Sequence, residues 1–306
     1  IGAIPHPRLP GDAARAEDTH QPMHETLAPM QQSLPAVQRG GPLSNLSVEE
    51  NMTQALKGKL ALVTGASRGI GAAIAARLAQ DGASVIVHYA SSAARAEAVV
   101  KAIRDAGGEA EAVGANLSQP EGIKNLIDAL NGAFGGRFEG RLDILVNNAG
   151  TVEYGPFLDS SDTSYDTHFN LNVRAPIELA KDAAARMVAA GWGRIINIGS
   201  AFGEAAPLPG VTLYIASKFA IRGFTRGLSR ELGKYGVTVN AVQPGPIDTE
   251  LAPQPGTEDH ATMTKLASVG RFGKPAEIAA AVAYLASPEA GYTTGESLTV
   301  DGGWIA

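Results

Sequence analysis

From residue 60 onward, short apolar runs alternate with amphipathic stretches. Residues 60–63 (Leu-Ala-Leu-Val) form an apolar run that ends at Thr64-Gly65, the pattern of a buried strand. Residues 69–81 place Ile70, Ile74 and Leu78 at helical spacing. Residues 84–87 repeat the strand pattern and 92–106 the helical one, which Gly107-Gly108 stops. The same alternation predicts a strand at 110–113 and a helix at 120–133. It predicts strands at 143–146 and 194–198 with a long helical stretch between them. A helix over roughly 214–234 and strands at 238–242 and 298–300 complete the pattern. Short strands separated by helices of about 10–15 residues imply βαβ units and a parallel sheet. Right-handed crossovers make a doubly wound sheet the simplest architecture: a seven-stranded, mainly parallel α/β sheet with helices on both faces. Ligands of such sheets sit beyond the carboxyl ends of the strands. Candidate chemistry should therefore follow strands.

Residues 1–51 do not share this pattern. They hold seven of the 18 prolines and none of the 17 aromatic residues. Such a segment buries too little apolar surface to offset the entropy of ordering it. Residues 1–51 are accordingly expected to be a disordered or non-native extension, with Met52 as the candidate start and 52–306 as one catalytic domain.

Composition narrows the function. The chain of 306 residues is 44% hydrophobic, enough for a packed core. A net charge of −6 and a pI near 5.6 argue against a nucleic-acid partner. The absence of cysteine excludes disulfides, thiolate catalysis and cysteine-based zinc sites. No apolar run approaches the ~18 residues of a membrane span, and the start lacks the flank and core of a secretory signal. A soluble protein of cytoplasmic type, without a membrane partner, is expected.

Thr64-Gly65-Ala66-Ser67-Arg68-Gly69-Ile70-Gly71 follows the first strand and opens the first helix. Glycines admit phosphate close to the backbone, and a helix N-terminus presents free N–H groups to it. The glycine spacing Gly-x-x-x-Gly-x-Gly resembles that of the short-chain dehydrogenase/reductase family, of the type that includes 3-oxoacyl-[acyl-carrier-protein] reductases. Asn147-Asn148-Ala149-Gly150, Tyr214-x-x-x-Lys218 and Pro244-Gly245 follow in the family's order, and the resemblance runs from about Lys57 to Trp304.

The resemblance implies a single-domain Rossmann fold and a nicotinamide cofactor. An NAD site usually ends its second strand with an acid for the ribose 2′-OH. Here that region reads His88-Tyr89-Ala90-Ser91-Ser92, with no acid before Glu97. Arg68 lies inside the loop, where an arginine can pair with a 2′-phosphate. NADP(H) is therefore expected in preference to NAD(H), with Tyr89, Ser91 and Ser92 near the phosphate. The family pattern puts Asn116 and Leu117 beside the adenine; it usually has Asp where Asn116 stands. It puts Asn148, Ala149 and Gly150 along the cofactor. After Pro244 and Gly245, Ile247 and Thr249 are expected at the carboxamide.

Tyr214 and Lys218 lie four residues apart, on one face of a helix. For acid–base work near neutrality a tyrosine pKa, ordinarily about 10, must fall by roughly 3, worth about 4 kcal/mol. The Lys218 ammonium and an oxidised nicotinamide are the cations expected to supply this. By resemblance, Ser200 holds the substrate oxygen, with Ser217 as its nearest competitor. Asn172 links Lys218 to solvent through water, with Asn170 as the competitor. The implied reaction is hydride transfer between NADPH and a carbonyl or secondary alcohol, with Tyr214 as acid/base and no metal required.

The Pro- and Thr-rich segment after Thr249 is long for a connection and is expected to act as a lid. Phe202, Glu204, Leu208, Glu153 and Tyr154 are expected to line the same pocket. Three readings stay open: a reductase of small carbonyl compounds, a 3-oxoacyl-[acyl-carrier-protein] reductase, and a nucleotide-binding protein without turnover. Arg174 and Arg222 are the basic candidates for docking an acidic carrier protein. Alanine-rich faces over roughly 172–190 and 214–232 resemble the family's subunit-pairing helices, implying a homotetramer or homodimer.

Overall fold

A computed structural model describes residues 54–306; the expectation about residues 1–51 lies outside the described residues. Its strands are β1 (Leu60–Val63), β2 (Ser84–Tyr89), β3 (Glu109–Gly114), β4 (Ile144–Asn147), β5 (Gly193–Ile198), β6 (Val237–Pro244) and β7 (Ser297–Val300). They form one sheet in the order β3-β2-β1-β4-β5-β6-β7. Every ladder is parallel, where the sequence predicts only a mainly parallel sheet. The chain thus starts in the middle, winds outward to β3, and crosses back to β4 on the other side of β1. The switch point lies between β1 and β4, where a doubly wound sheet opens its ligand crevice.

The helices are α1 (Gly69–Gln80), α2 (Ala93–Asp105), α3 (Pro120–Leu130), α4 (Asp162–Phe169), α5 (Ala175–Ala190), α6 (Thr212–Leu232), α7 (Glu258–Leu266) and α8 (Pro275–Ala286). Strand alternation sends successive side chains to opposite faces. Ala61, Val63, Val85, Val87 and Val146 point to the face covered by Leu78 of α1, Val100 of α2 and Val282 of α8. Leu60, Leu62, Ile86 and Leu145 point to the face covered by Leu126 of α3, Leu179 of α5 and Leu232 of α6. Both faces are dry, which is why the strands read as continuous apolar runs.

Three predicted segments differ. The stretch between β4 and β5 is not one helix: α4 passes into a π-helical turn (Asn170–Arg174) and then α5. The segment after Thr249 contains α7, whose first turn is capped by Thr257 Oγ1 accepting from His260 N–H at 3.3 Å. The sequence pattern gives no helix at α8, yet Pro275 stands in its first turn and Glu277 accepts from Lys274 N–H at 2.7 Å. Those are helix-start signals that the uniformly apolar run of α8 masks. No helix among the described residues is long and apolar enough to cross a membrane.

Candidate active site

The glycine loop leaves β1 and is stapled from below by the segment after β4. Thr64 Oγ1 accepts from the N–H groups of Asn148 and Ala149, both at 2.9 Å. Asn148 Nδ2 donates to the carbonyls of Thr64 and Gly65 at 2.8 and 3.1 Å. Two glycines are obligatory here. Gly65 has φ +63° and a Cβ on it would lie 2.9 Å from Ala149 Cα. A Cβ on Gly71 would lie 2.4 Å from the Gly65 carbonyl oxygen.

His88, at the end of β2, holds the loop from the side. Its Nδ1 accepts from Gly65 N–H at 3.0 Å, and its Nε2 lies 3.0 Å from the Ala115 carbonyl. A ring with an acceptor at Nδ1 and a donor at Nε2 is neutral. Burial agrees, lowering His88 from 6.5 to about 4 against the opposing pull of the Ala115 carbonyl. As pH falls, the unfolded chain takes this proton near 6.5 and the folded chain only near 4. Stability is therefore full above pH 6.5 and declines toward pH 4, by about 3 kcal/mol for this group. Urea midpoints measured across that window should fall in the parent chain and fall less in His88→Asn.

The candidate catalytic residues come from three elements. α6 carries Tyr214 and Lys218 on one face. Lys218 Nζ donates to the carbonyl of Ile198, the last residue of β5, at 3.0 Å. Ser200, two residues on, accepts at Oγ from Phe202 N–H at 3.2 Å. Its own N–H is held by Gln243 Oε1 of β6 at 2.6 Å. Asn172 lies in the π-helical turn, and such turns recur at functional sites. Its Oδ1 accepts from Thr151 N–H at 2.9 Å and its Nδ2 donates to Ser217 Oγ at 3.1 Å. Ser217 turns its own proton to the Tyr214 carbonyl at 2.7 Å, inside α6, so Ser200 is the serine beside the tyrosine hydroxyl. A Cβ on Gly150 would lie 3.2 Å from Asn172 Oδ1 and 3.6 Å from Lys218 Nζ, so the backbone there passes close to both groups.

Burial sets the charge of both groups on α6. It pushes the Tyr214 phenol up to about 12, with the Ser200 hydrogen bond pulling the other way. It pushes the Lys218 ammonium down to about 8. In the cofactor-free protein burial outweighs the Ser200 hydrogen bond at Tyr214, and Lys218 Nζ donates to Ile198 and stands 5.5 Å from the ring centre.

A cavity of about 420 Å³ runs from the glycine loop to this cluster. Nearly all the expected cofactor residues line it: the loop residues Gly65, Ser67, Arg68, Gly69, Ile70 and Gly71, then Ser91, Ser92, Asn116 and Leu117. Asn148 to Gly150, Pro244, Gly245, Ile247 and Thr249 follow along its length. Tyr89 does not line it. His88 faces the loop, so its strand neighbour faces away, and the Tyr89 ring packs over Gly114. Asn116 turns its Oδ1 to Ser118, accepting from N–H at 3.1 Å and Oγ at 2.8 Å.

The catalytic end of the cavity is apolar, lined by Val152, Tyr154, Leu251, Pro253, Met263 and Phe272. Phe202 stacks edge-on between Tyr214 and Trp304, at 6.0 and 5.2 Å between centroids. Three residues expected there are not among its lining. Glu204 pairs with Arg222 at 2.6 Å, Leu208 packs with the cluster around Val211, and Glu153 gives its N–H to His168. Sequence reasoning missed Thr64, His88, Gln243 and Trp304. Thr64 and His88 stand inside quoted segments without a role read for them, because each of the four acts on a partner distant along the chain.

A family model described as enoyl-(acyl carrier protein) reductase matches residues 65–305. The 3-oxoacyl-[acyl-carrier-protein] reductase of Vibrio cholerae is 41% identical over 81% of this chain and 98% of its own length. A cyclic-di-GMP-binding biofilm dispersal mediator of Escherichia coli is 39% identical over 82% and 99%. A short chain dehydrogenase of Burkholderia cenocepacia, solved with NADP, is 43% identical with a TM-score of 0.76, over 82% and 100%. On these matches, the chain belongs to the short-chain dehydrogenase/reductase family of oxidoreductases.

Proposed function

We propose that the chain is an NADP(H)-dependent reductase of small, apolar carbonyl compounds, running in reverse on the corresponding secondary alcohols. The observation that carries this reading is the convergence of Ser200, Tyr214 and Lys218 on the apolar end of a cavity whose other end is a glycine cradle. The cradle fits a dinucleotide: the bare faces of Gly65 and Gly71 and the open N-terminus of α1 suit a pyrophosphate. The NADP-bound relative, and Arg68 in the loop, support the phosphorylated dinucleotide.

When bound, the cofactor supplies or takes the hydride at its nicotinamide ring. Tyr214 donates its phenolic proton to the carbonyl oxygen as the alcohol forms. Ser200 holds that oxygen: Phe202 N–H occupies one Oγ lone pair, which leaves the hydroxyl proton to point at the substrate. Lys218, fixed by the Ile198 carbonyl, is the positive charge nearest the phenolate left behind. Asn172 braces the site from the side, holding the backbone of Thr151 and the hydroxyl of Ser217, which neighbours Lys218 in the chain.

Lys218 gives a pH prediction. Its ammonium loses the proton near pH 8 rather than 10.5. The kcat/KM for carbonyl reduction, which reports groups of the free enzyme, is expected to be level below about pH 8 and to fall above it. A profile that stays level to pH 10 removes the charged lysine from the mechanism.

The carrier-protein reading has the Vibrio cholerae relative in its favour. Of its two basic docking candidates, Arg222 is tied to Glu204 in a half-buried pair, whereas Arg174 pairs with Glu178 at an exposed site open to exchange, both at 2.6 Å. Exposed Ile177 on α5 and Phe219 on α6 support assembly as a homotetramer or homodimer through those helices. The deciding experiment follows NADPH absorbance against an acetoacetyl thioester, a β-keto ester, alkyl and aryl ketones, a quinone and aldoses, with NADH as control. Turnover of free ketones supports the proposal, and turnover of the thioester alone replaces it with the carrier-protein reading. Tight NADPH binding without turnover of any substrate favours a binding protein, in line with the Escherichia coli relative.

A further inference from the structure

Beside the glycine loop the ion pairing is unusual. Arg68, the residue capping α1, and Arg95, in the first turn of α2, both reach one carboxylate, that of Glu250. Arg68 Nη1 lies 2.9 Å from Glu250 Oε2, and Arg95 Nη1 lies 2.7 and 2.9 Å from Oε2 and Oε1. The three residues come from separate parts of the chain: Arg68 and Glu250 line the cavity together with Ser91 and Ser92, and Arg95, in the helix turn that follows Ser92, reaches them through Glu250. Neither α1 nor α2 has an acid in its first turn, so Glu250 is the anion that answers these two guanidinium groups.

We propose that Arg95 is a second guanidinium of the 2′-phosphate site and that Glu250 is its built-in counter-anion, displaced when a 2′-phosphorylated dinucleotide binds. The proposal rests on the NADP(H) reading above and adds to it two residues that set specificity. Charge favours the exchange. Two guanidinium groups against one carboxylate leave a net positive charge, whereas a phosphate of about −2 balances them. Geometry favours it as well: a guanidinium fork that takes a carboxylate takes phosphate oxygens equally well. Exposure keeps the exchange cheap. All three side chains are about half exposed, from 48% to 56%, so the ion pairs add little stability that binding must give up. A dinucleotide with a free 2′-OH carries no charge there to displace Glu250, so the carboxylate lowers affinity for the phosphorylated form alone.

The test is fluorescence titration of the full chain with NADPH and with NADH, comparing the parent, Arg68→Gln, Arg95→Gln and Glu250→Gln. Arg95→Gln is expected to raise the NADPH Kd about tenfold, the worth of one charge-assisted hydrogen bond. Glu250→Gln is expected to lower it severalfold. The NADH Kd should move less than about twofold in either, which also reports that the site is still folded. Two results overturn the proposal while sparing the NADP(H) reading. One is an unchanged NADPH Kd in Arg95→Gln where Arg68→Gln weakens binding. The other is weaker NADPH binding in Glu250→Gln. If the parent binds both dinucleotides equally and Arg68→Gln alters neither, the NADP(H) reading fails and takes the proposal with it.

Discussion

Tyr214→Phe is expected to lose about 10³-fold in kcat for carbonyl reduction while keeping its NADPH Kd and its thermal midpoint. The substitution removes one oxygen. The ring that packs edge-on against Phe202 stays, so the wall of the cavity stays. The loss is confined to proton transfer because burial keeps the free phenol protonated, near 12, well above working pH. It is thus a donor ready for the carbonyl oxygen. Steady-state rates with the best ketone, together with NADPH titration, check this. Near-normal turnover in the phenylalanine variant shows that solvent supplies the proton and removes Tyr214 from the mechanism.

Gly199→Ala is expected to cost kcat about 10²-fold, since an error of about 1 Å in a positioning group is worth that much. A Cβ at Gly199 would stand 1.9 Å from Gln243 Oε1, the atom that holds Ser200 N–H. Gln243 has little freedom to yield. It is fully buried, its Nε2 is turned toward Glu204, and Glu204 is committed to Arg222. The serine therefore gives way. Overpacking of this kind also costs about 1–3 kcal/mol of stability, visible as a lower urea midpoint. NADPH affinity should hold, because the cradle around Gly65 lies on another strand. A Kd for NADPH that rises in step with the loss in kcat shows general damage instead.

The parts of this site that are legible in the sequence are those built from near neighbours. The glycine loop spans a single turn, and Tyr214 and Lys218 share one helix face, so their spacing alone declares them. The parts that escape are built from distant residues. His88 meets Gly65 from 23 positions away, Gln243 meets Ser200 from 43, and Arg95 meets Glu250 from 155. Nothing in their local sequence marks the meeting. Tyr89 fails for a local reason: it stands one place from the functional strand residue, and on a strand one place reverses the face. The fold follows the same rule. The strands show plainly because both sheet faces are dry. By contrast, α8 is apolar throughout Ile278–Ala286, its exposed positions included, and so shows little helical period, and α4 is joined to α5 through a turn of irregular pitch.

The strand order also divides the chain as a book is bound. The residues before the crossover to β4 form one leaf, β3-β2-β1, and those after it form the other, β4 to β7. The spine has two layers. It is a ladder of three residue pairs, Ala61 with Ile144, Leu62 with Leu145 and Val63 with Val146, backed by α1 against α8. The long cavity lies across it, with the glycine loop and both arginines on the first leaf and Ser200, Tyr214 and Lys218 on the second. Any ligand that fills the cavity therefore clasps the two leaves together, and its binding energy resists their parting. The crossover between α3 and β4 is then the natural place to cut the gene into complementing fragments, with the ligand as the clasp that rejoins them.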